Sequence, residues 1–117
     1  MREHKYRAWM KKEFSLPKAT YDTFTIQELM TGKHNFSKYE NWEEYTGLTD
    51  KNGVEIYEWD IIKWQDMNGD VISVVEFKDG GFHLKRNGLS VYIIAESCEV
   101  IGNIYENPEL IRGEITN

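Results

Sequence analysis

The sequence has little cysteine, little proline and no long apolar run. Cys98 is the only cysteine, so the chain forms no internal disulfide and offers no set of thiolates for a zinc site. Its two prolines leave no proline-rich or low-complexity segment. No stretch approaches the roughly 18 apolar residues of a membrane span, and the basic start lacks the apolar core of a signal peptide. We therefore expect a cytoplasmic location and no membrane partner.

What is present is typical of a small globular domain. Of 117 residues, 40% are hydrophobic, 14% aromatic and 29% charged, which indicates a globular chain. The net charge of −6 is uneven: residues 1–18 hold six basic and two acidic side chains, a net +4, so the other 99 residues carry −10. The basic segment either pairs within the acidic fold or a neighbouring subunit, or it contacts an acidic partner.

Short β-rich runs separated by glycine-containing turns fill residues 42–106. The pair Asn52-Gly53 predicts a hairpin with a type I′ turn, in which both central residues have positive φ. Further turns are predicted in "DMNGD" and "KDGG", and strands in "VISVVEF", "VYIIA" and "VIGNIY". This spacing favours a mainly β fold (α+β minor), a small antiparallel SH3-like β-barrel over residues 42–106.

The flanking segments are predicted to be smaller. Residues 1–41 contain an N-terminal strand in "REHKYRAW", a polar loop and a short helix. The helix begins with a capping box formed by Thr25 and Glu28, in which each side chain satisfies a backbone N–H of the first turn. Residues 107–117 form a C-terminal turn and tail.

The acidic residues near the middle of the chain allow two interpretations. Glu58 and Asp60, with His83, offer carboxylates for a hydrolase. Alternatively, Glu58 is solvated and Asp60 accepts hydrogen bonds from backbone N–H groups at the start of a strand. The histidines lie far apart, and the turns lack the ligand order of a calcium loop. We expect no catalytic residue, no metal site and no cofactor; Cys98, among carboxylates, is expected to be a structural thiol.

Aromatic and basic side chains supply the candidate contacts to partners. The aromatic candidates for partner contacts are Trp59, Trp64, Tyr6 and Trp9. The alternative interpretation is that these rings belong to the core. A nucleic-acid-binding module is the alternative, because bases stack on aromatic rings and phosphates attract cations. Its basic residues are Arg2, Lys5, Arg7, Lys11 and Lys12.

Three motifs carry a family resemblance over nearly the whole chain. "MREHKYRAW" opens the sequence, "YTGLTDKNGVEIYEWDII" lies in its middle and "VIGNIYENPEL" near its end. In this order and spacing they resemble the YopX family of small proteins encoded by bacteriophages and prophages of Firmicutes. The resemblance implies a mainly β fold, a bacterial host cytoplasm and no assigned catalytic activity.

The resemblance also gives structural expectations for single residues. Gly47, Asn52 and Gly53 are expected at turns and strand starts, Asp60 at a cap, and Gly102 at a bulge or close approach. The family usually has an apolar residue at the position of His4 and Gly at that of Trp59. Because Trp adopts positive φ only at a cost, we expect either a locally different backbone or ordinary torsions with the ring in a contact.

These observations favour a non-catalytic protein-interaction module. It would act as a homo-oligomer and bind a host or phage protein, since exposed strand edges and surplus aromatic rings must be covered. Nucleic-acid binding and a hydrolase that uses Glu58 and Asp60 remain the alternatives.

Overall fold

The computed structural model describes residues 4–15, 19–32 and 36–111. The strands are Lys5–Met10 (β1), Tyr21–Thr25 (β2), Tyr39–Thr49 (β3), Glu55–Tyr57 (β4), Asp60–Asp66 (β5), Gly69–Lys78 (β6), Gly81–Leu84 (β7) and Glu99–Asn103 (β8). The α-helices are Lys12–Ser15 (α1), Ile26–Met30 (α2) and Val91–Ile94 (α3), and 3₁₀ turns span Ala95–Ser97 and Pro108–Ile111. Within these ranges no helix has the length and apolarity that a membrane crossing requires.

The strands form two four-stranded sheets. Their strand orders are β2-β1-β3-β4 and β7-β6-β5-β8, with antiparallel pairing. The mainly β class is confirmed, but the SH3-like barrel is not. The strands predicted for it are divided between two open sheets, because β3 and β4 pair in one and β5 to β8 in the other. The spacing of β runs predicts strands but not which edges pair, and here the pairing decides the architecture.

The chain divides into two compact units, Met1–Tyr45 and Thr46–Asn117. The boundary predicted at 41/42 lies inside β3, which continues from the first unit into the second. The second unit contains strands β4 to β8.

An aromatic cluster forms the core of the first unit. Ala8, Phe24 and Tyr39 are buried together, with Phe36 packed against them. The Phe24 and Tyr39 rings meet edge to face, with centroids 5.4 Å apart, and the Phe36 ring lies 5.4 Å from that of Trp42. Such edge-to-face pairs place the positive edge of one ring against the negative face of another, so they orient as well as bury the side chains.

The second unit buries both faces of its sheet. One cluster contains Ile62, Val75 and Leu84, and the other contains Ile61, Val74 and Ile111. Adjacent residues of one strand point to opposite faces, so Ile61 and Ile62 enter different clusters. The 3₁₀ turn Pro108–Ile111 delivers Ile111 to the second cluster.

The capping box at Thr25 and Glu28 is confirmed. The Thr25 hydroxyl accepts from Glu28 N–H at 3.2 Å, and Glu28 Oε1 accepts from Thr25 N–H at 2.9 Å. The sequence did not predict that the residues before it form β2. Only Phe24 of this strand is buried, so the period-two pattern of a half-buried strand is almost absent.

The prediction of a strand in "VYIIA" is wrong, because these residues form α3. Val91 and Ile94 are buried in the main core of the second unit, one helical turn apart. A short run of β-branched apolar residues favours a strand by propensity, yet burial at i and i+3 selects a helix. Propensity is overridden here by packing.

The prediction of a type I′ turn at Asn52-Gly53 is also wrong. Gly53 alone has positive φ, +79°, and its N–H donates to Asp50 O at 3.0 Å. The pattern required by a type I′ turn is found instead at Asp79 and Gly80, with φ of +53° and +82°. Both dipeptides are turn formers, and the number of residues in the loop decides which conformation fits.

Gly102 lies where another segment approaches β8 closely. Its partner Ile61 precedes a register shift, so β8 is bulged there. A Cβ at Gly102 would lie 2.3 Å from Asn107 Oδ1 and 2.9 Å from Asn107 Cβ. The Asn107 side chain is seated on this glycine, and its Oδ1 accepts from Asn103 N–H at 3.3 Å.

We expect Gly102→Ala to lower the free energy of unfolding by about 1–3 kcal/mol, because the Asn107 segment must move to admit a methyl group. Gly81→Ala is the matched control, since its Cβ would meet only a ring atom of His83 at 3.3 Å. Urea unfolding of both variants tests this. Equal destabilisation of the two would show that the approach of Asn107 does not constrain Gly102.

Candidate functional site

The turn between β4 and β5 holds Trp59 in a left-handed backbone conformation. Its φ is +69°, which is uncommon for a residue other than glycine and costs about 1–2 kcal/mol. The expectation of ordinary torsions is therefore wrong: Trp59 keeps a glycine-like backbone. The ring contact expected beside it is present, since the half-buried indole packs against Ile61, Val74 and Ile111.

Backbone and side-chain hydrogen bonds hold this turn. Trp59 N–H donates to Val75 O at 2.7 Å, and Trp59 O accepts from Ile104 N–H at 3.2 Å. The Asp60 carboxylate accepts from Tyr57 N–H at 2.8 Å. Backbone pairing and indole packing together offset the cost of the positive φ.

The structure does not place Asp60 and His83 on the same face of the sheet. Asp60 is almost fully buried and its carboxylate binds the backbone of its own turn. Asp60 shares a face of the second sheet with Ile62, whereas His83 alternates with the buried Phe82 and Leu84 and so points to the opposite face. Glu58 lies in the turn itself. In the described ranges no group of three or more His, Cys, Asp or Glu is placed to hold a metal ion.

The Asp50 carboxylate accepts three backbone hydrogen bonds in the second unit. Its Oδ1 accepts from Asn52 N–H at 2.8 Å and Val54 N–H at 2.9 Å, and its Oδ2 accepts from Val100 N–H at 2.8 Å. Burial alone would raise the pKa of this carboxyl, but the three backbone donors and Lys51 outweigh it, so the pKa lies below its usual value. The carboxylate therefore joins the β3–β4 turn to β8.

Cys98 lies beside this network as a buried thiol. Burial, followed by the Asp50 charge, raises the pKa of Cys98 to about 11. The thiol donates to Ala95 O at 3.3 Å, and Cys98 O accepts from Lys51 N–H at 3.0 Å. A neutral, enclosed thiol is a poor nucleophile, as the sequence suggested, although Asp50 rather than an adjacent glutamate supplies the charge.

The basic N-terminal segment contains a buried ion pair. Arg7 is 4% exposed and Glu43 1%, and Arg7 Nε donates to Glu43 Oε1 at 2.6 Å. Trp9, 2% exposed, donates Nε1–H to the same oxygen at 3.0 Å. The Arg7 guanidinium also lies 5.5 Å from the Trp9 ring and 5.3 Å from the Tyr21 ring. Arg7 and Trp9 are therefore enclosed, not exposed to a phosphate or a base.

The other candidate residues are dispersed. Arg2 lies outside the described residues, Lys12 is exposed, and Lys5 is half-buried with its ammonium 5.0 Å from the Tyr45 ring. Half-buried positions are also occupied by Lys11, Tyr6 and Trp64. Trp64 packs against the main core of the second unit. Gly47 has φ of +86° within β3.

Helix α3 exposes two adjacent apolar side chains that the sequence did not single out. Tyr92 is 79% exposed and Ile93 73%, while Val91 and Ile94 beside them are buried. We call Tyr92 and Ile93 the α3 patch. Because the run was predicted as a strand, its exposed face was not recognisable; a helical reading of Val91 and Ile94 as the core pair would have identified it.

The comparisons with known proteins agree with this fold. A family model described as YopX protein matches residues 5–112. The crystal structure of protein EF1440 from Enterococcus faecalis is similar, with a TM-score of 0.61 and 25% sequence identity, and the match covers 94% of this chain and 99% of that chain. No curated protein sequence matches the chain. Neither description names an activity or a ligand.

At position 59 we expect the glycine variant to be more stable than the alanine variant, which is the reverse of the order in an ordinary strand. We expect Trp59→Ala to lower the free energy of unfolding by about 2–3 kcal/mol through lost packing, and Trp59→Gly to be about 1 kcal/mol more stable than Trp59→Ala, because glycine accepts positive φ. Phe77→Ala and Phe77→Gly are the matched pair in a strand, where alanine should be the better residue. Urea unfolding of the four variants decides this; Trp59→Ala more stable than Trp59→Gly would contradict the strain.

Asp50 should make the free energy of unfolding depend on pH. We expect Asp50→Asn to lower the free energy of unfolding at pH 7 by about 2 kcal/mol, since the amide presents a donor to one backbone N–H. Because the folded-state pKa is lowered, the contribution of Asp50 is present above about pH 4 and is lost as the pH falls further.

The deficit of the Asp50→Asn variant should therefore shrink between pH 7 and pH 3. Asp66→Asn is the control, because among the described residues one backbone N–H, that of Asn68 at 2.7 Å, donates to the Asp66 carboxylate. Denaturant unfolding at both pH values measures the difference. A deficit that stays constant with pH would show that the Asp50 carboxylate does not stabilise the turn through its charge.

Proposed function

Because the chain belongs to the YopX family, we propose that it is a non-catalytic protein-interaction module that acts as a homo-oligomer in the cytoplasm of a bacterial host. It binds a host or phage protein through its surface and performs no chemistry of its own. The burial of Asp60 and the position of His83 on the opposite face of the sheet support this role over that of a hydrolase.

The α3 patch is the observation that carries self-association. Two large apolar side chains lie next to each other on a helix whose opposite side is anchored in the core by Val91 and Ile94. A surface helix ordinarily presents polar residues outward, and contiguous exposed apolar groups mark interaction sites. A second copy that presents the same patch around a twofold axis buries both side chains at once.

The nucleic-acid alternative has less support. This alternative depends on basic and aromatic side chains that alternate in the N-terminal segment. Two of these residues, Arg7 and Trp9, are buried and bind Glu43. Lys5, Lys11 and Lys12 remain accessible to solvent in part or in full, which is a small positive surface on a chain of net charge −6.

Size-exclusion chromatography with light scattering tests the oligomer. At micromolar concentration we expect a mass above that of the 13.8 kDa monomer. The double variant Tyr92→Ser with Ile93→Ser should weaken association by about tenfold or more, without a comparable loss of thermal stability because both side chains are exposed.

Met67→Ser is the matched control. Met67 is fully exposed at the tip of the β5–β6 hairpin, so this variant removes an apolar group of similar size away from α3. It should leave the oligomer intact. A wild-type protein that is monomeric throughout, or an oligomer that survives loss of the α3 patch, would overturn the proposal.

A further inference from the structure

Strand β2 presents an open edge in the first unit. It is the terminal strand in the order β2-β1-β3-β4, so within residues 4–15, 19–32 and 36–111 only one of its edges is paired. Tyr21 is 44% exposed, and Asp22 and Thr23 are exposed as well. Edge strands carry a row of backbone donors and acceptors that another strand can pair with.

The hydrogen-bond phase of the β1–β2 ladder identifies the outward groups. Met10 N–H donates to Thr20 O at 3.0 Å at one end of the ladder. Ile26 N–H donates to His4 O at 3.0 Å at the other end. Hydrogen-bonded pairs alternate along an antiparallel ladder, so every second residue of β2 directs its N–H and C=O away from β1. These residues are Tyr21, Thr23 and Thr25.

The capping box closes one end of this edge. Thr25 N–H is already bound by Glu28 Oε1, so its donor is not available to an added strand. Across residues 4–15, 19–32 and 36–111, no hydrogen bond engages the outward N–H and C=O groups of Tyr21 and Thr23. The open edge therefore consists of two residues with Asp22 between them.

Asp22 determines which strand fits. Suppose that a second copy paired its β2 antiparallel to this one, with Tyr21 of each copy opposite Thr23 of the other. The two Asp22 residues would then lie directly opposite each other, with Cα atoms about 4.5 Å apart. Like charges directly opposite destabilise a strand pair, whereas opposite charges stabilise it. Asp22 already accepts the Tyr39 hydroxyl, and a carboxylate retains further acceptor sites.

We propose that β2 binds an extended segment of a partner protein as an added strand, with a lysine or arginine of that segment opposite Asp22. Backbone pairing to Tyr21 and Thr23 supplies binding that does not depend on sequence, and Asp22 selects the basic residue. This deepens the proposed interaction role but uses a surface other than the α3 patch, so the two are tested separately.

Fluorescence anisotropy with two synthetic peptides tests the strand site. One nonapeptide alternates threonine and valine around a central lysine, and the other has glutamate in that place. We expect the lysine peptide to bind wild-type protein about fivefold more tightly. The preference should reverse for Asp22→Lys. Tyr39→Phe controls for the loss of the Tyr39 hydrogen bond and should keep the preference for lysine.

Thr23→Pro removes the outward donor without removing a bond of the β1–β2 ladder, and edge strands tolerate proline at such positions. It should weaken binding of the lysine peptide by about tenfold, whereas Thr23→Ala, which keeps the N–H, should bind within about twofold of wild type. Hydrogen exchange on wild-type protein gives a readout that needs no variant: the peptide should slow exchange at the Tyr21 and Thr23 amides.

Equal binding of the two peptides, full binding by a folded Thr23→Pro variant, or unchanged amide exchange on peptide addition would each overturn the strand site. The variant that lacks the α3 patch should bind the lysine peptide as wild type does. Light scattering of Thr23→Pro should give the wild-type mass, so failure of the oligomer and failure of the strand site are distinguishable.

Discussion

The carboxylate of Asp50 is the constraint on which the second unit depends. It replaces a strand as the hydrogen-bond partner of Val100, and it closes the β3–β4 turn through Asn52 and Val54. Val100, which is 50 positions from Asp50 in the sequence, is thereby fixed to the β3–β4 turn. The thiol of Cys98 is buried beside it, and burial together with the Asp50 charge raises the pKa of that thiol.

Hydrogen bonds occupy outward groups at both edges of the second sheet. On the β8 side, Asp50 and the Cys98–Lys51 backbone bond occupy outward groups. On the β7 side, Leu84 N–H donates to Leu89 O and His83 bridges Ser90. The first unit has no such cover on β2 among the described residues; a helix cap and an acidic side chain limit its edge instead. Both are recognised means of restricting strand pairing, but they leave it selective rather than closed.

Part of the local chemistry was predictable from the sequence, whereas the pairing of strands was not. The capping box at Thr25 and the alternation of Ile61 and Ile62 depend on neighbours along the chain. Strand β2, the split into two sheets and the helix at Val91 depend on contacts with distant residues. The candidate site followed the same division: Asp60 binds the backbone of its own turn, whereas no local pattern marks Asp50 as a ligand of Val100 or Glu43 as the partner of Arg7.

The left-handed turn at Trp59 bears on how this position can change over generations. Tryptophan supplies an indole for the core and glycine supplies an unstrained backbone, while small residues with a Cβ supply neither. Tryptophan and glycine are therefore both favourable at this position, whereas small residues that carry a Cβ are less favourable than either. The codons UGG for tryptophan and GGG for glycine differ by one base, so a lineage can exchange one residue for the other in a single step.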